Sequence, residues 1–434
     1  MTRLIFHAHG DDVPAVSDPT EIHVLLYGSR PEWPGTGSIG NQLKKACGRL
    51  GHEVQTRAFD FLTIALAVTA ADTFVSRDSA DDRWSRSFHL TIPLVRPDNW
   101  EPVKSDLQRT LRFLSGDDWL LDFVGDGPVP PSRDVRKREK HLIDLSSVDC
   151  ASLFSGGLDS AIGVTELLSE GRRPLLVSHA YAKDRTYQAS ISRSLPRPCP
   201  MFLANAYPTW DGVDEDSMRT RSFNFLAYGA VAAAAIAGFH RQSKVTLFVP
   251  ENGTIAINAP LTLRRIGSHS TRTTHPFFLQ SVQEIFDRVG IPVEIENRYR
   301  NLTKGEMLAR VANEPAVRDM AVKTVSCGKW KRHDMQCGRC LPCMIRRASF
   351  FKANVQDTTT YEYPDLSDVL KDEDGRDDLV SIFAALKRPR TRGESWILQA
   401  GPLPNDPGER EEAFDVVRRG MTELECFLTD QGFA

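Results

Sequence analysis

The stretch "VDCASLFSGGLDSAIGVTELLSEGRRPLLVSHA", residues 148–180, limits the fold of this chain more than any other. "LSSVDCASLF" reads as a largely apolar strand, "SGGLDS" as a turn, "AIGVTELLSEG" as a helix stopped by Gly171, and "PLLVSHA" as a second buried strand. Strand, helix, strand in that order predicts neighbouring parallel strands, and hence an α/β sheet.

The turn between the first strand and the helix lies where open parallel sheets receive ligands. Gly156 and Gly157 lack the Cβ atoms that would keep a phosphate off the backbone. Several amides can therefore converge on one anion, and the helix N-terminus adds partial positive charge. Ser155 and Ser160 offer hydroxyl donors, whereas Asp159 can fix the loop, cap the helix or reach a cation. No "GK[ST]" follows the glycines, so the string lacks the lysine of a Walker-type phosphate loop.

Before this unit, "RLIFHAH", "EIHVLLYG", "RSFHLTIPL" and "WLLDFV" read as strands, and "GNQLKKACGRLG" and "DLQRTLRFL" as amphipathic helices. "GDGPVPPSRDVRKREKH" (125–141) has Gly, Pro and dense charge without apolar periodicity, which marks a boundary. The expected organisation is an α/β accessory domain at 1–124, a linker at 125–146, a parallel α/β domain at 147–350 and a helical extension at 351–434. In the second domain "KVTLFVPENG" and "PVEIENRY" supply further strands; in the extension "LVSIFAALKR" and "EEAFDVVRRGMTELECFL" supply helices.

Net charge of -3 and a sequence pI near 6.4 give no global field to draw a nucleic acid or an anionic membrane. Neither is an expected partner. "FLTIALAVTAADTFV" (61–75) and "FNFLAYGAVAAAAIAGF" (223–239) are short or interrupted by Asp72 and Asn224, so they read as buried helices. The opening "MTRLIFHAHGDD" has no signal-peptide pattern. With eight cysteines and no secretion signal, a reducing, cytoplasmic setting is expected. Cys47, Cys150, Cys199 and Cys426 are scattered and read as small buried hydrophobes.

The other four fall in "SCGKWKRHDMQCGRCLPC" (326–343). Cys337, Cys340 and Cys343 are spaced to aim three thiolates at one point, and Cys327 can close a tetrahedron around Zn²⁺. The resulting double negative charge has Lys329, Lys331, Arg332, Arg339, Arg346 and Arg347 near it in sequence. An iron–sulfur run would need a cysteine where Arg347 stands, and a redox CxxC leaves two cysteines unexplained. His333 is an alternative to Cys327 as fourth ligand.

"FSGGLDSA" resembles the SGGxDS loop of the ATP pyrophosphatase family, which holds the β,γ-diphosphate of ATP while reaction occurs at the α-phosphate. Read with Cys327 and "CGRCLPC", it is similar to the 7-cyano-7-deazaguanine synthase (QueC) branch, over about Val148 to Phe350. "RTRSFNFLAYGA" and "NLTKGEML" are similar to two further segments of that family, which puts Arg221, Thr303, Lys304 and Glu306 near the site. The resemblance implies a PP-loop, Rossmann-type sheet. It also implies ATP contact by Phe154, Ser155, Gly156, Gly157, Leu158, Asp159, Ser160 and Arg221, catalytic work by Asp159, Ser160 and Lys304, and ATP, Mg²⁺ and Zn²⁺ as cofactors. It implies adenylation of a 7-deazaguanine carboxylate with release of pyrophosphate, followed by capture of the acyl group by an amine.

The chain departs from housekeeping members of the family. About 145 residues precede the loop, about 80 follow the knuckle, Ser222 follows Arg221 in place of Asn, and "PENGTIAINAPL" replaces an acidic, aromatic-containing loop. This layout resembles the QatC components of Qat anti-phage systems, which puts Glu251, Asn252 and Asn258 near the base and implies a role in defence. The extra domain is expected to meet a protein partner whose amine takes the place of ammonia. A housekeeping nitrile synthase, a tRNA-modifying pyrophosphatase and a non-catalytic ATP or nucleobase sensor are the competing expectations.

Overall fold

A computed structural model describes residues 1–15, 21–132, 142–179, 181–212, 214–261, 272–328, 335–373, 375–387 and 395–433. Its strands form two five-stranded sheets, and every paired strand is parallel to its neighbour. The first holds β1 (Thr2–His7), β2 (Glu21–Leu26), β3 (Thr36–Ile39), β4 (Ser87–Pro93) and β5 (Asp118–Val124) in the order β3-β2-β1-β4-β5. The second holds β6 (Cys150–Leu153), β7 (Pro174–His179), β8 (Met201–Ala204), β9 (Val245–Phe248) and β10 (Val293–Glu296) in the order β10-β9-β6-β7-β8. Each sheet thus has its first strand at the centre and reverses direction beside it.

Burial follows from what covers each face. In β1, β4 and β5 buried residues alternate with more exposed ones, the pattern of a sheet covered on one side. Helices α2 (Thr56–Phe74) and α3 (Lys104–Ser115) lie in that half of the chain, preceded by the short α1 (Leu43–Gly48). Pairs such as Arg3 with Glu21 (2.7 Å) and His89 with Asp122 (2.6 Å) occupy the other face. By contrast β7 is buried at all six residues. Around the second sheet lie α4 (Leu158–Ser169), α5 (Ala182–Arg193), α6 (Arg221–His240), α7 (Gly253–Ile257), α8 (Pro276–Val289), α9 (Lys304–Val311) and α10 (Pro315–Lys323).

The two apolar stretches are buried helices, as expected. α2 and α6 lie between the sheets in one continuous core, where Phe61 of α2 meets Phe223 of α6 edge-on at 5.0 Å and Phe286 of α8 at 4.9 Å. Among the described residues α6 alone is long and apolar enough to cross a membrane, and 83% of its most apolar window is buried inside the fold.

Polar contacts tie the halves as well. Ser38 of β3 and Thr209, beyond β8, exchange backbone hydrogen bonds of 2.8 and 2.9 Å. Asp72, near the end of α2, accepts from the Thr220 amide (2.8 Å) and hydroxyl (2.9 Å) at the start of α6. Its other oxygen is held by Arg86, which with Arg77 grips Asp117 (Arg77 at 2.7 Å, Arg86 at 2.9 Å). Asp72, Asp117, Arg77 and Arg86 are all buried.

The structure corrects several expectations. The apolar run at 145–154 gives only a four-residue strand, because Leu145–Ser147 forms a 3-10 turn capped by Asp144. β3 and β8, also four residues each, were not expected, and the "ENG" segment enters a helix, α7, capped by Asn252. Cys426 is exposed on the final helix and Cys199 is half-buried, so only Cys47 and Cys150 fit the reading as buried hydrophobes. Most of the basic run, 133–141, lies outside the described residues. The extension folds as helices at Leu366–Lys371, Asp377–Leu386 and Pro407–Asp430, packed with the Leu341–Lys352 helix that precedes it.

Asp72→Ala leaves Arg86 buried and short of a partner, so a loss of about 3–5 kcal/mol is expected. Because one core spans both sheets, differential scanning calorimetry should show both halves of the variant unfolding together at a lower temperature.

Candidate functional site

In the second sheet the chain runs from β6 outward to β8, then returns to the other side of β6 as β9. The crevice at the carboxyl ends of β6 and β9 is therefore the point where strand order reverses. β6 leads into Phe154-Ser155-Gly156-Gly157 and β9 into Val249-Pro250-Glu251-Asn252, so the glycine turn and the "ENG" segment meet there.

Phe154 is buried, and its amide donates to the Val177 carbonyl (2.8 Å), which ties the turn to β7. Gly156 has φ +77, and a Cβ there would lie 2.8 Å from the Tyr187 ring, so both backbone and space demand glycine. Gly157 is the N-cap of α4; the first i→i−4 bond runs from Ala161 N to Gly157 O (3.0 Å). The amides of Leu158, Asp159 and Ser160 consequently have no acceptor within the helix. Leu158 is buried in the core beneath them. Ser155 is exposed; its hydroxyl accepts from Gly157 N (3.2 Å) and lies 3.3 Å from the Ser160 hydroxyl, which donates to Gly157 O (2.9 Å).

Asp159 does not cap the helix. One of its oxygens accepts from Lys304 Nζ at 2.5 Å; the other accepts from Asn252 through its amide (3.1 Å) and its Nδ2 (2.7 Å). Burial alone would raise the Asp159 carboxyl. The Lys304 ammonium and the hydrogen bonds from Glu251, Lys304 and Asn252 together outweigh burial and hold it well below the usual carboxylate range. Part of Glu251 reaches the surface, yet its carboxyl is enclosed by protein. Enclosure and the neighbouring Asp159 charge raise it strongly and favour its protonated form. The trio thus balances one ammonium against one carboxylate, and Lys304 keeps two N–H donors to spare.

Asn252 is fully buried; its Nδ2 also donates to Glu251 (3.1 Å) and its Oδ1 accepts from Ile255 N (3.0 Å). It pins α7 to α4. Gly253 beside it must be glycine, because a Cβ would fall 2.0 Å from the Arg300 carbonyl oxygen. Asn258, in the left-handed conformation at the other end of α7, lines a small cavity with Trp396, Val417 and Met421. Of the three residues expected at the base, Glu251 and Asn252 meet Asp159, while Asn258 faces the extension.

Lys304 is the first residue of α9, and Thr303 caps that helix with Glu306 in a reciprocal capping box. Both are held from the final helix, Glu306 by Arg419 and the Thr303 hydroxyl by Glu423. Burial, reinforced by the Glu306 charge, pushes the Glu423 carboxyl up to about 7.

Arg221 opens α6 and donates to His179 Nε2 (2.9 Å); that nitrogen also lies 3.1 Å from Asp184. The guanidinium stands over Tyr181 (5.5 Å) and Phe225 (5.2 Å), and His179 stacks on Phe225 at 4.3 Å. Sequence reading missed His179, Tyr181 and Asp184. The signal for His179 was its place as the last residue of a buried parallel strand.

The four expected cysteines converge. All are buried, their sulfurs lie within 4.8 Å of one another, and Cys337–Cys343 and Cys327–Cys340 are each 3.9 Å apart. Sulfurs about 2.3 Å from a tetrahedral zinc stand roughly 3.8 Å from each other, so the donor set and spacing fit Zn²⁺. The amides of Cys337 and Cys340 donate to Cys327 Sγ (3.4 Å) and Cys337 Sγ (3.3 Å), as thiolate ligands require. His333, Lys329, Lys331 and Arg332 lie outside the described residues. The nearby arginines bind backbone and carboxylate rather than sulfur: Arg346 donates to Ala321 O (2.8 Å), Arg347 to Gly338 O (3.4 Å), and Arg339 pairs with Asp372 (3.2 Å).

Searched against protein-family models and against curated proteins, the chain matches none.

One zinc per chain is expected by metal analysis. Cys340→Ser should lose the metal and lower thermal stability together. Glu423 gives a second expectation. Its folded-state value is raised, so its contribution to stability is complete below about pH 4.5 and is lost as pH rises through about 7. The stability of the wild type should therefore fall between pH 5 and 8, by on the order of 3 kcal/mol at most, seen as a lower melting temperature, and Glu423→Gln should flatten that slope.

Proposed function

We propose that this chain is an ATP-dependent enzyme that adenylates the carboxylate of a 7-deazaguanine acid and passes the acyl group to an amine. The observation that carries the reading is the meeting of the Gly156–Gly157 turn, the Asp159–Lys304 pair and Glu251 in the crevice where strand order reverses. The likeness of "SGGLDS" and "CGRCLPC" to the 7-cyano-7-deazaguanine synthase branch of the ATP pyrophosphatases supplies the substrate class.

In the first step a carboxylate oxygen attacks the α-phosphorus of ATP; the bond to the β-phosphate breaks and pyrophosphate leaves. In the second an amine attacks the acyl carbon, AMP leaves, and the amine gives up one proton. For the first, the free amides at the start of α4 and the spare donors of Lys304 would bear the charge growing on the leaving group. Arg221, braced by His179 and flanked by Tyr181 and Phe225, would meet planar or anionic parts of the nucleotide. Both Asp159 oxygens are engaged, so Mg²⁺ would arrive on the nucleotide phosphates, with no carboxylate cage waiting for it at Asp159. Zn²⁺ would hold the knuckle together without taking part in the chemistry.

The resemblance to QatC components extends the proposal to anti-phage defence, with a protein amine as acceptor recruited through the first sheet. Incubation with 7-carboxy-7-deazaguanine, ATP and Mg²⁺, with either ammonium or candidate partner proteins, should give AMP and pyrophosphate in equal amounts. Mass spectrometry should find an amide-linked increment on a partner. Free nitrile in place of that increment would instead indicate a housekeeping synthase, and no AMP at all would favour a sensor. ADP in place of AMP would overturn α-phosphate chemistry. Lys304→Met should lower kcat/KM for AMP formation by about a hundredfold or more.

A further inference from the structure

The glycine turn and the cysteine knuckle are about 170 residues apart in sequence, yet one side chain joins them. The hydroxyl of Tyr187, on α5, donates to the Gly156 carbonyl and accepts from the Val325 amide. Its ring fills the space that a Cβ on Gly156 would need. The Val325 carbonyl lies 3.3 Å from where a Gly157 Cβ would stand, so Val325 lies close beside the turn as well.

On its other side Val325 runs into the knuckle. Ser326 N donates to Gln336 Oε1 (3.0 Å), and Gln336 Nε2 donates to Thr324 O (3.2 Å). Gln336 is buried and precedes Cys337; Cys327 follows Ser326; and Cys337 N donates to Cys327 Sγ (3.4 Å). The strap Thr324–Cys327 is thus fixed at one end by a cysteine ligand and at the other by Tyr187.

A trans peptide is planar, so the C=O of Gly156 and the N–H of Gly157 point in opposite directions. Holding the carbonyl on Tyr187 therefore turns the Gly157 amide away from α5, toward Ser155 and the anion crevice. Burial pushes the Tyr187 hydroxyl up, which keeps its proton available to that carbonyl.

We propose that Tyr187 couples metal binding at the four cysteines to anion affinity at the Gly156–Gly157 turn. Tyr187 is a positioning residue; it touches neither the metal nor the anion. The inference rests on the reading of that turn as a polyphosphate site. By linkage the coupling is reciprocal, and pyrophosphate should tighten zinc binding by the same factor.

The test is calorimetric titration of pyrophosphate with Mg²⁺ into the full chain, zinc-loaded or stripped under reducing conditions, with the chelator then removed. Zinc-loaded wild type should bind about tenfold more tightly than stripped wild type. Tyr187→Phe keeps the ring and removes the bridge: loaded with one zinc, it should bind about tenfold more weakly than wild type and lose little more on stripping. If stripping unfolds the chain, Val325→Pro gives the same comparison with zinc in place, because it deletes the amide that Tyr187 accepts; its effect should not add to that of Tyr187→Phe. Wild-type affinity in zinc-loaded Tyr187→Phe, equal losses on stripping both proteins, or additive losses in the double variant would overturn the coupling while leaving the polyphosphate reading intact. No binding of pyrophosphate by zinc-loaded wild type would overturn both.

Discussion

The buried pair between Asp159 and Lys304 is the contact on which the site's geometry depends. Three segments far apart in sequence meet at it: the first turn of α4, the start of α7 through Asn252, and the start of α9. A buried ion pair is weak evidence of stability, because removing both charges from water costs about what their attraction returns. Its effect is on geometry. Asp159, with both oxygens engaged by Lys304 and Asn252, ties the glycine turn, the "ENG" segment and α9 in a single register around the crevice.

The first sheet contributes to the same site from a distance. Asp72 lies in α2, yet its carboxylate serves the first turn of α6, and Arg221 is the next residue after Thr220. Without Asp72 the amide of Thr220 would lack this partner at the interface between the sheets. The Arg77, Arg86 and Asp117 network holds Asp72 in turn, so the direction in which α6 enters the site is set by side chains from the first half of the chain. The shared core of Phe61, Phe223 and Phe286 acts in the same sense.

What the sequence made legible was local. The strand–turn–helix at 148–171, the long apolar helices and the cysteine spacing each express themselves within about twenty residues, through periodicity, glycine and ligand geometry. What stayed hidden depends on partners distant in sequence. Tyr187 is an ordinary aromatic in an amphipathic stretch until Val325 arrives beside it, and Asp72 reads only as an interruption in an apolar run until Thr220 does. β3 and β8 escaped notice because four residues such as "TGSI" and "MFLA" hold too little alternation to stand out. Cys426 was misjudged because the solvent-facing side of an amphipathic helix accepts a cysteine as easily as a core does.

The final helix is tied to the site by electrostatics. Lys304 is buried at the first position of a helix, where the backbone already presents partial positive charge. Asp159 balances its charge, and Glu306 lies in the same first turn. Glu306 and Thr303 are then anchored by Arg419 and Glu423 of the final helix. Burial, reinforced by the Glu306 charge, raises the Glu423 carboxyl to about 7. The residues beyond the knuckle thus belong to the charge balance of the site as much as those that line it.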